Sequence, residues 1–157
     1  MSESKTTAAA KPTTVEVRVP SRMGFEKVAM STAASVAKLM GFRDDRIEDL
    51  KTAVAEACIN AIEHGNRLNE KLSVGVVLSV GADSLEVKVM DDGRGMNRQP
   101  GKQNKPDIDR KMRGEEDARG MGMFLIQALV DEAEWVAGTD GNSSYVRLVI
   151  RLDKDAE

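Results

Sequence analysis

Residues 44–65, DDRIEDLKTAVAEACINAIEHG, constrain the chain more than any other stretch. At about 100° per residue, Ile47, Leu50, Val54, Cys58, Ala61 and Ile62 fall on one side, which predicts a helix with a core face. Glu56, Asn60 and His64 recur at i, i+4 and i+8, so they line up along a different side, one turn apart. A merely solvated helix would carry Lys, Glu or Arg in such a stripe. The neighbours Ala53, Ala57 and Ala61 are small, as though something must come close to the helix. Asparagine is also a poor residue for the middle of a helix, so Asn60 is expected to have another task.

The chain has 157 residues, enough for one domain with a real core. Charged residues make up 31% and hydrophobic ones 41%, the balance of a soluble globular protein. A net charge of −3 argues against a nucleic-acid partner, which selects for a basic face. Cys58 is the only cysteine and falls on the core face, so it forms no internal disulfide and a reducing cytoplasm is expected. His64 is the only histidine, which excludes a metal site built from Cys and His. The start, MSESKTTAAAKPTT, lacks an apolar stretch long enough for a signal peptide, and no window approaches a membrane span. The location expected is cytoplasmic, with no membrane partner.

Residues 1–12 read as a loose tail and 153–157 as a second, leaving one domain over 13–152. Thr13 to Val19 alternates, with Val15, Val17 and Val19 on one face, and Pro20 stops the strand. Ser21 reads as the N-cap of a first helix reaching about Met40, with Phe25, Val28, Ala29, Val36 and Leu39 as core candidates and Gly41 as its stop. The second helix starts at Asp44 or Asp45 and ends at Gly65-Asn66. Residues 71–80 and 84–90 form a predicted hairpin. A polar stretch then runs to Ala118, a length that usually marks a lid or binding loop. Arg119-Gly120-Met121-Gly122-Met123 leads into a third helix, Phe124 to about Asp131. Two last strands, near 133–138 and 143–152, are joined by a turn over Gly138 to Asn142. This order predicts an α+β two-layer sandwich, a mostly antiparallel mixed sheet with helices packed on one face.

Asp91-x-Gly93-x-Gly95 directly follows a predicted strand. Glycines there let the backbone turn tightly and approach a flat ligand, and the adjacent carboxylate can accept a hydrogen bond from an amine. The plainer alternative is an acidic turn. Gly120-x-Gly122 before a helix offers backbone N–H groups and a helix N-terminus, a cradle for phosphate. Its plainer alternative is a loop-to-helix turn.

Taken together, E-x-x-x-N-A-x-x-H on a helix, D-x-G-x-G after a strand and R-G-x-G-x opening a helix form an ordered set. The set resembles the GHKL superfamily of ATP-binding domains, which includes gyrase, MutL and the histidine kinases. More closely, AVAEACINAIEHG and RGMGMFLIQALVDE resemble the anti-sigma factor serine-protein kinases of bacterial partner-switching systems. The resemblance spans about residues 13–152 and implies ATP and Mg²⁺ as cofactors. Asn60 matches the position whose amide oxygen holds Mg²⁺ between the phosphates, and Glu56 matches the general base. Asp91 matches the acceptor of the adenine amine, with Gly93, Gly95 and Met96 beside the base and His64 and Gly65 on the nucleotide rim. Gly120, Met121, Gly122 and Met123 match the segment facing the β- and γ-phosphates, and Arg119 is placed to neutralise charge at the γ-phosphoryl. Two departures stand out. Ala118 occupies a position where relatives often carry Glu, and Asp91-Asp92-Gly93-Arg94-Gly95-Met96 resembles the histidine-kinase form of this box.

The resemblance implies a switch between two protein partners, a sigma factor of RNA polymerase and a small STAS-fold antagonist phosphorylated on serine. It also implies a homodimer. Two other functions fit the same residues. One is a histidine-kinase-like catalytic domain acting on another protein, since His64 lies inside the nucleotide motif. The other is a nucleotide-gated binding module that controls something other than sigma.

Overall fold

Alternation in three apolar strands builds the sheet. In β2 (Ser73–Val80) the side chains of Val74, Val76 and Leu78 point inward, and in β3 (Ser84–Met90) Leu85, Val87 and Val89 do so. β5 (Tyr145–Arg151) adds Val146, Leu148 and Ile150, all buried. The hairpin pairs Gly75 with Met90 through to Val80 with Leu85, and β5 lies along β3 from Ser84↔Arg151 to Met90↔Tyr145. β1 (Thr13–Pro20) closes one edge against β2, and β4 (Glu132–Val136) closes the other against β5. Among the described residues the strand order is β1-β2-β3-β5-β4 and every pairing is antiparallel, where the sequence leads to a mostly antiparallel mixed sheet. This computed structural model describes residues 13–92, 117–138 and 144–152. Both tails, Gly93, Gly95, Met96, the lid candidate up to Glu116 and the turn at 139–143 lie outside the described residues.

Helices α1 (Glu26–Met40), α2 (Asp44–Asn60) and α3 (Asp117–Leu129) share one core with the inward face of the sheet. The opposite face is wet and charged. Arg147 on β5 pairs with Glu86, Glu132 and Glu134, and Arg151 pairs with Glu132. A concavity of about 310 Å³ on that face is lined by the paired Glu86, Glu132, Arg147 and Arg151 together with residues of the β2–β3 turn. It has no part in the site described below.

α1 starts four residues later than its sequence signal, with Phe25 in place of Ser21 before its first residue. Ser21 is not an N-cap: it is fully buried, and its N–H donates to the Leu72 carbonyl at 3.1 Å, extending the strand path. The chain then turns through Gly24, whose φ of +106° suits glycine, before Glu26 begins the helix. The buried stripe is Ala29, Ala33, Val36 and Ala37. Val28 and Leu39, expected in the core, are exposed, Leu39 at 87%, because the small alanines bring α1 close to α2 and leave the larger side chains outside. Gly41 ends the helix in the left-handed conformation, and Phe42, whose N–H donates to the Ala37 carbonyl, is buried behind it.

All six core residues predicted for residues 44–65 are buried, Ile47, Leu50, Val54 and Cys58 in α2 and Ala61 and Ile62 just beyond it, as are Ala53 and Ala57. Burial pushes the Cys58 thiol up to about 12, with Glu26 adding to the shift. The preference of the fold for a neutral thiol is complete below the ordinary value of 9.0 and is lost as pH rises towards about 12. Native protein at pH 8 is therefore expected to react with a thiol reagent about 10³-fold more slowly than unfolded protein, as read from labelling time courses.

Beyond Asn60 the helix widens into a π-turn, Ala61–Gly65, closed by the Asn66 N–H on the Ala61 carbonyl at 2.7 Å. The wider turn rotates His64 off the line that Glu56 and Asn60 define, so the regular stripe expected from sequence covers only those two. Arg67 and Leu68 follow in left-handed conformation, with φ of 54° and 61°.

Candidate functional site

Glu56 and Asn60 sit one turn apart on α2, each half-buried. Gly122 of α3 is buried against them. A Cβ at Gly122 would lie 2.8 Å from Glu56 Oε1 and 3.8 Å from Asn60 Nδ2. The close approach hinted at by the small residues therefore comes from another helix, whose backbone rests on the two polar side chains.

This placement revises the reading of the second glycine segment. Arg119, Gly120, Met121, Gly122 and Met123 all lie inside α3, which begins at Asp117 instead of Phe124. Each glycine costs a helix interior about 1 kcal/mol, but Ala118, Met121, Met123 and Leu125 are good helix formers and offset it. In a helix starting at Asp117, Gly122 is too far along to offer a free N–H.

The other end of α2 meets the exit of β3. Asp91 is buried, and Gly65 packs flat against it. A Cβ at Gly65 would stand 2.3 Å from Asp91 Oδ2 and 2.6 Å from its Cβ and Cγ. The Asp91 N–H donates to the Ser144 carbonyl at 3.1 Å, and the Ser144 N–H returns to Asp91 Oδ1 at 3.4 Å. Asn66 is fully buried beside them. Its Oδ1 accepts the Asp92 N–H at 2.8 Å, and its Nδ2 donates to the Ser73 carbonyl at 2.9 Å. His64 lies at the rim, 40% exposed, with Nε2 3.6 Å from Glu63 Oε1.

The π-turn thus links two polar clusters, Glu56–Asn60 under Gly122 and Asp91 against Gly65. Sequence reasoning missed Asn66 and Ser144. An Asn after a helix-ending Gly reads as a simple terminus, and Ser144 carries no signal because its backbone does the work. Because Asp91 Cβ and Cγ cannot swing away as a flexible tip could, Gly65→Ala is expected to cost about 1–3 kcal/mol of stability. Thermal unfolding reads this directly, and an unchanged melting temperature would show that the contact relaxes freely.

Residues 20–150 match the histidine kinase-like ATPase domain family. The chain belongs to this family. Among curated relatives of this ATPase, the serine-protein kinase RsbW of Oceanobacillus iheyensis is 32% identical over 126 residues, covering 76% of this chain and 77% of that one. RsbW of Bacillus subtilis is 32% identical over 124 residues, covering 75% and 74%. The crystal structure of the RsbU and RsbW domains of Rv1364c from Mycobacterium tuberculosis superposes with a TM-score of 0.63 at 18% identity. That likeness shows the fold, covering 91% of this chain and 33% of the other. The ATPase therefore groups with the RsbW-type serine-protein kinases, the relationship its motifs suggested. Among the described residues, no helix is long and apolar enough to cross a membrane.

Proposed function

We propose that this kinase is an anti-sigma factor that spends Mg-ATP to phosphorylate a serine on a small STAS-fold antagonist, and that it holds a sigma factor when the antagonist is absent. The observation that carries the reading is the pairing of Glu56 with Asn60 under the bare backbone of Gly122, in a chain of this family.

In this reading Asp91 accepts the adenine amine, with Gly93, Gly95 and Met96 alongside and His64 and Gly65 at the rim. The first turn of α3, with Arg119 and Gly120, meets the β- and γ-phosphates, and Met121, Gly122 and Met123 continue that wall. The Asn60 amide oxygen is a hard donor on a half-buried surface and fits Mg²⁺, which takes few protein ligands and would complete its shell with phosphate and water, leaving the Glu56 carboxylate as the base. When bound, Mg²⁺ draws off charge that builds on the phosphate oxygens. Glu56 takes the proton from the substrate serine as its Oγ bonds to the γ-phosphorus. The bond to the β,γ-bridging oxygen breaks, and ADP leaves with that electron pair. Arg119 offsets the charge on the transferring group. The new phosphate adds about −1.5 to −2 charge to the antagonist, which drives its release.

Gly122→Ala tests the contact at the centre of this arrangement. The added methyl meets the flexible tip of Glu56, so folding is expected to change little while Glu56 is displaced. Phosphotransfer should fall about tenfold or more, beyond any change in ATP affinity. Comparing turnover at saturating ATP with nucleotide titration separates the two.

The whole reading is tested by capturing partners from native lysate with Mg-ADP, then adding Mg-ATP and mapping phosphate by mass spectrometry. A small partner gaining one phosphoserine, with a sigma factor in the same capture, supports the switch kinase. Phosphate on a partner histidine would favour the histidine-kinase-like alternative, which the Asp91–Met96 box resembles. Partners without phosphate would favour a nucleotide-gated module. Light scattering of the purified chain tests the expected dimer.

A further inference from the structure

Asn66 joins three segments that otherwise end separately. Its N–H closes the π-turn on the Ala61 carbonyl at 2.7 Å. Its Nδ2 donates at 2.9 Å to the Ser73 carbonyl, at the start of β2. Ser73 and Asp92 each lie two residues beyond the last β2–β3 pair, Gly75↔Met90, so the carboxamide bridges the two strands where their own ladder has ended. Its Oδ1 accepts the Asp92 N–H at 2.8 Å, two residues beyond the last β3–β5 pair, Met90↔Tyr145. A buried carboxamide satisfied on both sides fixes both neighbours, and losing either bond strands a buried polar group.

The bond to Asp92 holds the peptide that follows Asp91, while Gly65, the residue before Asn66, lies against the Asp91 side chain. We infer that Asn66 is a positioning residue that sets the Asp91 carboxylate for the exocyclic amine of the base, and so governs the preference for adenine. This rests on the assignment of Asp91 made above. Asn66 touches no nucleotide in this account. It acts by stopping the exit of β3 from drifting relative to the end of α2.

The experiment is calorimetric titration of the full chain with ADP and with inosine diphosphate, which lacks the amine. Wild type should prefer ADP, and Asp91→Asn should lose that preference. Asn66→Ala should lose about tenfold in ADP affinity while inosine diphosphate changes by less than about threefold, so the preference collapses. Asn66→Asp has the same shape and keeps the acceptor for Asp92, so its preference should fall between wild type and Asn66→Ala. If Asn66→Ala does not fold, Asn66→Asp decides alone, and an unchanged ADP preference in it overturns the inference. A lowered melting temperature with intact preference in Asn66→Ala would reduce Asn66 to a structural role and also overturn it. Retention of the ADP preference by Asp91→Asn would instead overturn the assignment of Asp91, and the role of Asn66 with it.

Discussion

Glu56→Ala should bind ATP within about threefold of wild type and transfer phosphate about 10²–10⁴-fold more slowly. The side chain is half-buried on α2 and outside the buried core stripe, so its removal leaves the packing of Leu50, Val54 and Cys58 untouched. Its carboxylate oxygen lies where α3 comes closest, 2.8 Å from the position of a Gly122 Cβ, beside Asn60. A group that acts only on the reacting proton contributes little to ground-state binding, so the loss belongs in kcat. Glu56→Gln is the sharper version. It keeps size and hydrogen bonding, lacks basicity, and should lose as much. Single-turnover phosphotransfer alongside nucleotide titration gives both quantities. Undiminished transfer in either variant would remove Glu56 from the chemistry.

The strands and the core of α2 could be read because alternation and helical periodicity report burial directly. Val74, Val76, Leu78, Leu85, Val87 and Val89 each lie where a period of two puts them. What misled were local signals overridden by tertiary contacts. Ser21 has the chemistry of an N-cap, but its backbone is committed to Leu72, so the helix waits until Glu26. Gly120 and Gly122 look like a loop, yet both are helical, and Gly122 provides the bare backbone where α3 crosses Glu56. The π-turn has no periodic signature at all. It goes with where the Asn66 amide must sit to reach both Ser73, seven residues on, and Asp92, twenty-six residues on. The candidate site residues are thus chosen by type and spacing, while the contacts that surround them carry no sequence signal.

The second large effect concerns Asp91, and Asp91→Asn is expected to abolish ATP binding at micromolar concentrations while leaving the fold intact. The substitution keeps shape and burial but replaces two acceptors with one acceptor and one donor. The position leaves little freedom to adapt. Ser144 directs its N–H at Oδ1, and Gly65 presses on the side chain near Oδ2. If the amide oxygen stays toward Ser144, its NH₂ opposes the adenine amine. If it flips to accept from adenine, the NH₂ opposes the Ser144 N–H. Either way one donor meets another. Losing a hydrogen bond to a charged acceptor costs about 1.5–3 kcal/mol, and stranding a buried donor costs about 1–3 kcal/mol more. Together they amount to about 10²–10⁴ in affinity. Gly65→Ala differs in a way that calorimetry and thermal unfolding can separate, because it forces two backbone segments apart and should lower stability together with binding. Asp91→Asn should lower binding alone. Wild-type affinity in that variant would place the base elsewhere and dissolve the link between Asp91, Gly65 and the end of α2.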